Sequence, residues 1–475
     1  MNVKKIALLL MAACITTATF SQTEVHGTSD TYEYPTDQLV RQKLDSWQDL
    51  KFGFFLHWGI YSVPGIAESW LLCNRPNRPR DTTMAYEEFK KWYWNLDKQF
   101  NPVKFNPERW AEISQNAGAK YVMFTTKHHD GFNMFDTKQS DYKITNGPFA
   151  NNPKADVTKY IFEAYRKKGM MIGCYFSKPD WHSQDFWWSA YGTADRNMNY
   201  DPIKYSWKWK KFQEFTYNQI SELMHNYGKI DILWFDGGWV RPLERPRAAT
   251  AGLALFPKFS QDVNMPRIAT MAREAQPGIL VADRTVHGPY ENYRTPEQTI
   301  PKMQLKEPWE TCITLTKSWS YRKPQEEKVK TSTWVIHTLA EIVAKGGNLL
   351  LGFGPTPEGE FPTAVEQPLK EVGDWLKVNG KAIYDTRIIE NYNDGTTWFT
   401  QSKDGKIRYA IACIKEGSTV PEILQWKGNI PTKGASIKLL ATGKPVSWKQ
   451  EGENVVITVP KSLTGQKAPA LAFSF

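Results

Sequence analysis

Carboxylates that follow apolar stretches are the residues of this 475-residue chain best suited to chemistry. The most unusual acid is Asp236, which follows a strongly apolar stretch in LWFDGGW and is flanked by aromatic residues and glycines. This setting indicates a buried, oriented carboxylate, although an aspartate that caps a helix or a turn would look the same. Glycoside hydrolysis would need a second carboxylate as proton donor. The candidates are Glu291, Glu297 and Glu310, and their spacing does not choose among them.

Histidines are the second set of candidates. His57 lies near the end of FGFFLHWG, and His128 and His129 end YVMFTTKHH. Neighbouring residues on a strand point to opposite faces and no third ligand stands at a supporting spacing, so we expect no metal at this pair and no cofactor. Hydrogen bonding to sugar hydroxyls is the alternative role for these three histidines, whereas His225 and His337 fit structural roles on predicted helices.

Alternating strand and helix patterns must position these residues. Apolar runs typical of buried strands occupy 52–59, 121–129, 171–177, 230–238, 279–284 and 348–354. Helical patterns separate several of them; one begins at Asn106 and Pro107 and ends at Gly118. Such alternation predicts a parallel sheet with helices outside it.

The polar candidates fall at the C-terminal ends of different strands, and a barrel would gather them around one mouth. An open doubly wound sheet would instead carry a glycine-rich phosphate loop, and no such motif follows these strands. We therefore predict an α/β fold with an imperfect (β/α)8 barrel. After about residue 385 short strand patterns between turn residues predict a C-terminal all-β sandwich. The expected division is a signal peptide at 1–21, a catalytic barrel at 22–384 and a β-sandwich at 385–475.

The N-terminus has the pattern of a secretory signal peptide, with Lys4 and Lys5 before an apolar run that reaches about Ile15. We expect cleavage near Ser21 and export, to the periplasm. A lipid anchor at Cys14 is the alternative, which the short apolar run does not favour. No other segment approaches a membrane-spanning length.

Composition narrows the function classes. The chain has 20 Trp, 21 Tyr and 24 Phe, which would serve either as flat faces for sugar rings or as a tryptophan-rich core. The formal charge of +10 is spread along the chain, with basic residues interleaved with acidic ones, so nucleic acid is not an expected partner. A solvated basic surface is favoured over one that attracts acidic glycans.

Five blocks in order give the chain a family resemblance. They are FGFFLHWGIYSVPG, AGAKYVMFTTKHHDGFNMF, YFSKPDWH, LWFDGGW and KGGNLLLGFGPTPEG, spread over about 300 residues. In this combination the chain resembles the α-L-fucosidases of glycoside hydrolase family 29. The resemblance implies a retaining exo-glycosidase, with a barrel followed by a β-sandwich, that acts on fucosylated oligosaccharides or glycoconjugates.

The resemblance also implies residue roles. It places the nucleophile at Asp236 and favours Glu297, in a block resembling TPEQ, as the acid/base over Glu291 and Glu310. It also implies that eight residues line the fucose subsite: Phe55, His57, His128, His129, Tyr175, Trp234, Arg284 and Trp319. Of these, Phe55 and Trp319 are expected beside the sugar C6 methyl.

One departure from the family pattern concerns the subsite. The family commonly has Glu and Trp adjacent after the first strand, whereas this chain has Glu68, Ser69 and Trp70. Which of Glu68 and Trp70 contacts a sugar hydroxyl is therefore open. The alternatives to an α-L-fucosidase are the same machinery acting on a related sugar such as α-L-galactose, and a catalytically silent glycan-binding protein.

Overall fold

A computed structural model describes residues 32–73, 83–193, 195–243, 258–323 and 329–475. The predicted signal peptide and the alternative anchor at Cys14 lie outside the described residues. Within the described part of the chain, no helix is both long and apolar enough to cross a membrane.

The first part of the chain alternates helices and parallel strands. The helices are α1 Gln38–Leu50, α2 Tyr86–Trp94, α3 Pro107–Asn116, α4 Val157–Lys167, α5 Ser206–Asn226, α6 Met265–Ala275, α7 Ser332–Ala344 and α8 Thr363–Asn379. The strands are β1 Phe52–Leu56, β2 Tyr121–Lys127, β3 Met171–Ser177, β4 Ile232–Asp236, β5 Leu280–Asp283, β6 Trp309–Thr314 and β7 Gly347–Phe353.

These strands form one parallel sheet in the order β5-β4-β3-β2-β1-β7-β6. The gap between the two edge strands is filled by the segment 291–298. Its Glu291 pairs with Ala282 of β5, and its Glu297 pairs with Cys312 of β6. The segment thus stands where an eighth strand would close the circle, and the predicted imperfect (β/α)8 barrel is confirmed.

Side chains fill the barrel, so it is a packed core and not a pore. The inward-facing residues, all buried, include Phe55, Met123, Ile232, Leu280 and Leu350. Helix α1 packs Val40, Leu44 and Trp47 against the same cluster. Because α1 directly precedes β1, it covers the N-terminal end of the strands and leaves the C-terminal end as the mouth.

Local sequence signals explain several element boundaries. The side chain of Asn106 accepts a hydrogen bond from the backbone nitrogen of Arg109 at 2.9 Å, and Pro107 follows as the first residue of α3. Gly118, with φ +89°, turns the chain out of that helix towards β2. The sequence patterns do not predict β6.

Two antiparallel sheets follow the barrel. Their strands are β8 Thr386–Arg387, β9 Asn393–Asp394, β10 Thr397–Ser402, β11 Arg408–Cys413, β12 Ile423–Lys427, β13 Lys438–Leu439, β14 Ser447–Glu451, β15 Asn454–Thr458 and β16 Ala470–Ser474. One sheet has the order β13-β16-β11-β10-β8, with β9 on β10, and the other β12-β15-β14. A shared apolar core, with Phe399 and Phe473 from one sheet and Trp426 and Ile457 from the other, makes them a β-sandwich.

The sandwich packs against the barrel helices α7 and α8. The ring nitrogen Nε2 of His337 lies 2.8 Å from the carbonyl oxygen of Pro469, and the indole of Trp375 donates to the carbonyl of Ala470 at 3.0 Å. Since both helices lie outside the barrel, these contacts place the sandwich against the outer helices and not at the mouth.

Candidate active site

The C-terminal ends of the strands bring the predicted site residues to one mouth. Asp236 is the last residue of β4. On the neighbouring strand β3, Ser177 stands in register with Asp236 and Tyr175 stands in register with Trp234. Phe55 lies within β1, and His57, His128, His129 and Arg284 follow the ends of their strands directly. Trp319 lies in the loop that follows β6.

Asp236 is held by groups at the C-terminal ends of three strands, β3, β4 and β5. Tyr175 donates its hydroxyl hydrogen to Oδ2 at 2.8 Å, Arg284 donates from Nη1 to Oδ1 at 3.2 Å, and the backbone nitrogen of Gly237 donates to Oδ1 at 2.8 Å. The side chain is 19% exposed, so it is fixed yet accessible from the mouth.

The electrostatics of the site keep Asp236 ionised. Burial would raise the pKa of this carboxyl, but the positive charge of Arg284, together with the hydrogen bond from the backbone N–H of Gly237, outweighs burial and holds the pKa well below its ordinary value. Asp236 is therefore a carboxylate throughout the neutral and mildly acidic range.

The two glycines after Asp236 allow the backbone conformation and the close packing that hold its carboxylate in place. Gly237 has φ +90°, a conformation that favours glycine, and this turn lets its N–H reach the carboxylate. A Cβ at Gly238 would lie 1.9 Å from the hydroxyl oxygen of Thr285, so a larger residue would displace the neighbouring loop.

Glu297 is the second carboxylate at this point. The Nη2 of Arg284 donates to Oε2 of Glu297 at 2.7 Å, so one guanidinium binds both acids. Arg284 is itself fixed by a contact of 3.3 Å from Nε to the hydroxyl of Thr295, and its guanidinium lies 4.5 Å from the centre of the Trp234 ring. This geometry places Glu297 beside Asp236.

The other two candidate acids lie elsewhere. Glu291 is buried and binds Arg294, and its Oε2 lies 2.9 Å from Nδ1 of His287. Glu310 is buried inside the barrel, where it accepts a hydrogen bond from the hydroxyl of Tyr121 at 2.6 Å. Burial raises the pKa of Glu310 to about 7. Neither carboxyl is shown in contact with Asp236.

The expectation that His128 and His129 point to opposite faces is wrong. Strand β2 ends at Lys127, after a register irregularity between Thr125 and Lys127, so strand alternation no longer governs the two histidines. Their ring centres lie 4.3 Å apart. One ligand atom from each histidine and one from Asp236 lie within 4.8 Å of one another, a grouping that could hold a metal ion.

Hydrogen bonds fix the orientation of both rings. His128 shares one through Nδ1 with the hydroxyl of Ser69, and His129 shares one of 2.7 Å through Nδ1 with Ser177. The Ser177 hydroxyl gives its hydrogen to the carbonyl of Pro179, so Nδ1 of His129 is the donor and Nε2 is an acceptor. This Nε2 is buried, has no hydrogen-bond partner among the described residues, and lies 3.6 Å from Oδ2 of Asp236.

Burial keeps the histidines neutral. It lowers the pKa of His128 to about 4, and it also holds the pKa values of His57 and His129 well below their ordinary range. Neutral rings with one donor and one acceptor nitrogen suit hydroxyl groups of a ligand.

An aromatic wall faces the histidines. The Phe55 ring centre lies 5.2 Å from that of Trp234, 5.7 Å from that of Tyr175 and 5.6 Å from that of Trp319. Trp319 is also 5.0 Å from the ring of His57. The site thus combines an apolar wall with an ionised carboxylate, a guanidinium and neutral imidazoles, a set of groups that matches a pyranose ring with one apolar edge.

The Glu68-Ser69-Trp70 segment divides its contacts among three parts of the site. Glu68 accepts hydrogen bonds from the loop that carries Trp319, Ser69 contacts His128, and the Trp70 ring centre lies 5.0 Å from that of His129. Sequence reasoning missed Ser69 and Ser177 as partners of the histidines. The departure from the family pattern at Ser69 was the available signal for the first. The position of Ser177 at the C-terminal end of the predicted strand 171–177 was the signal for the second, but that position does not identify His129 as its partner.

Comparisons with known proteins agree with this geometry. A sequence model described as "Alpha-L-fucosidase" matches residues 19–381. The human plasma α-L-fucosidase is 29% identical over 447 residues, which cover 91% of this chain and 89% of that protein.

Solved structures give the same result. Isoenzyme 1 of the α-L-fucosidase from Paenibacillus thiaminolyticus is 27% identical with a TM-score of 0.72, covering 92% of this chain and 99% of that one. The Thermotoga maritima α-fucosidase in complex with fucose is 25% identical with a TM-score of 0.70, covering 93% and 100%. The family model spans most of the barrel with its mouth, and this chain therefore belongs to the α-L-fucosidase family, glycoside hydrolase family 29.

Proposed function

We propose that this protein is a retaining exo-α-L-fucosidase that removes terminal α-L-fucosyl residues from oligosaccharides or glycoconjugates. The observation that carries the proposal is the single guanidinium of Arg284 bound to both Asp236 and Glu297 in an aromatic-walled mouth. Retaining glycosidases use such a close pair of carboxyl groups, one as nucleophile and one as acid and base.

In the first step Asp236 attacks the anomeric carbon and the bond from that carbon to the leaving oxygen breaks. Arg284 and Gly237 hold Oδ1, so Oδ2 beside Tyr175 is the attacking oxygen. Glu297 gives its proton to the leaving oxygen, and a fucosyl ester of Asp236 forms.

In the second step Glu297, now a carboxylate, removes a proton from water. The water oxygen attacks the anomeric carbon and the ester bond to Asp236 breaks, which releases fucose and restores both residues. Two inversions at the same carbon leave its configuration unchanged.

Sugar recognition is assigned to the groups around this pair. His57, His128 and His129 are neutral and present ring nitrogens to hydroxyl groups, with the unpartnered Nε2 of His129 as an acceptor. Phe55 and Trp319 form the apolar side and receive the C6 methyl. The mechanism uses no metal, because Arg284 already supplies a positive charge to Asp236.

The proposal extends to export and to the division of the chain into domains. We propose that residues 1–21 are a signal peptide removed on export to the periplasm, and that the mature chain divides into a catalytic domain at 22–384 and a β-sandwich at 385–475. The start of β8 at Thr386, directly after the last barrel helices, supports that boundary.

The decisive assay compares aryl α-L-fucoside with aryl α-L-galactoside, which differ in the group at C6. An apolar pocket discriminates against an added hydroxyl by about 10²-fold, so kcat/KM should favour the fucoside by about one to two orders of magnitude. Proton NMR of the first product should show the α-anomer. A preference for the galactoside would identify α-L-galactose as the substrate sugar. If neither glycoside is hydrolysed, the protein would be a catalytically silent glycan-binding protein.

A further inference from the structure

The loop that carries Trp319 is fastened to the segment that follows β1. The backbone nitrogen of Ser320 donates to Oε1 of Glu68 at 2.7 Å, and the hydroxyl of Ser318 donates to the same oxygen at 3.1 Å. The hydroxyl of Ser320 also donates to the carbonyl of Ile66 at 2.9 Å. Glu68 therefore binds the residues on both sides of Trp319.

The contact is buried and charged. Glu68 is 4% exposed, and the backbone nitrogen that it accepts from belongs to a residue that is 1% exposed. A hydrogen bond to a buried charged group contributes more than a neutral one, and removing the acceptor leaves the buried N–H without a partner. The loop position thus depends strongly on this carboxylate.

The position of the Trp319 ring is also limited from the barrel side. A Cβ at Gly352, on β7, would lie 2.5 Å from the Trp319 ring, so the ring rests directly on the strand backbone. On its other sides the ring faces Phe55 and His57. Because β7 blocks movement of the ring towards the barrel, we expect a loop loosened by loss of Glu68 to shift away from β7, which would widen the apolar side of the pocket.

We infer that Glu68 is a positioning residue which, by fixing Trp319, sets the width of the pocket at the sugar C6 and so the preference for a methyl over a hydroxymethyl group. This inference rests on the proposed function. Glu68 would then affect specificity through the loop that carries Trp319 and not through contact with a hydroxyl of the sugar.

The expected consequence is a selective loss. With Glu68→Ala the fucoside loses contact at its methyl, so its KM rises about tenfold while kcat changes little, and the galactoside gains room. The ratio of kcat/KM for the two aryl glycosides should fall about tenfold. Glu68→Gln, which keeps an acceptor oxygen, should restore most of the ratio.

A double-mutant cycle separates this role from direct contact with the sugar. If Glu68 acts through Trp319, adding Glu68→Ala to Trp319→Ala should change the ratio less than about twofold, because the effects of residues that act as a unit do not multiply. Fully multiplicative effects on the fucoside KM would overturn the inference.

A milder variant keeps the test valid if Glu68→Ala does not fold. Ser318→Ala removes one donor to Glu68 and leaves the carboxylate in place, and it should shift the selectivity ratio in the same direction by a few-fold. Ser62→Ala, which removes a buried hydroxyl bonded to the carbonyl of Gly59, is the control and should leave the ratio unchanged. An unchanged ratio in Ser318→Ala would contradict the inference, whereas an inactive wild-type protein would contradict the proposed function instead.

Discussion

Arg284 and Asp236 form an ion pair at the centre of the site, with 3.2 Å between Nη1 and Oδ1. The second terminal nitrogen of the same guanidinium binds Glu297 at 2.7 Å. The arginine thus keeps one carboxylate ionised and places the other beside it. This arrangement leads to expectations that separate the roles of the two acids.

Glu297→Ala should slow fucosides with poor leaving groups far more than activated aryl fucosides, because only the former need a proton on the leaving oxygen. Proton transfer contributes about 10² to 10⁴-fold, so an oligosaccharide should lose that much in kcat while a dinitrophenyl fucoside loses little in the first step. Steady-state rates against leaving-group pKa measure the contrast. Glu291→Ala and Glu310→Ala are the matched controls, and the same contrast in either one would transfer the acid role to that residue.

The acidic limb of the pH profile should lie near pH 4. The pKa of His128 is about 4 because the ring is buried, so the imidazole stays neutral as the pH falls from 7 to 5 and is protonated only below that range. The measurement is kcat/KM for an activated aryl fucoside between pH 3.5 and 7, with the fold followed by circular dichroism. An acidic limb centred at about pH 6.5, the ordinary pKa of histidine, would show that the His128 ring is exposed to water and not buried.

Removal of metal ions should leave activity unchanged. His128, His129 and Asp236 lie close enough to hold an ion, but the proposed steps use only side chains and water. Dialysis against a chelator followed by an assay in metal-free buffer should give the untreated kcat. Loss of activity that returns with one specific divalent cation would refute the metal-free mechanism.

Ser69→Ala should weaken substrate binding through His128. Loss of a hydrogen bond to a buried ring should cost about 1 to 1.5 kcal/mol of substrate-binding free energy. The KM for the fucoside should therefore rise about five- to tenfold, with a smaller change in kcat. Initial rates over a range of substrate concentrations give both parameters, with Ser62→Ala as the control. Equal KM values in the two variants would show that Ser69 does not orient His128.

Much of the barrel is predictable because its strands are continuous apolar runs. Strand β3 spans the predicted residues 171–177, and Asn106 and Pro107 start α3 as expected. The ends of these strands locate the mouth, and with it His57 and Asp236. Strand β6 escapes prediction because its alternation of polar and apolar residues, with Glu310 inside the barrel, does not resemble a buried parallel strand.

Contacts between distant parts of the chain are not predictable in this way. Local spacing leaves Glu291, Glu297 and Glu310 equivalent, and only the closure of the barrel by 291–298 brings Glu297 to Arg284. The two histidines illustrate the same limit, because strand alternation holds only as far as Lys127. Ser318 and Ser320 have ordinary loop sequences, and their link to Glu68 spans about 250 residues.

The covalent role of Asp236 is the central claim, and trapping the fucosyl ester tests it most directly. The enzyme would be incubated with 2-deoxy-2-fluoro-α-L-fucosyl fluoride, digested, and its peptides sequenced by mass spectrometry. The mechanism predicts one fluorofucosyl adduct, on Asp236, and none in Asp236→Ala. An adduct on Glu297 or another carboxylate, or an unlabelled enzyme that releases β-L-fucose as its first product, would contradict it.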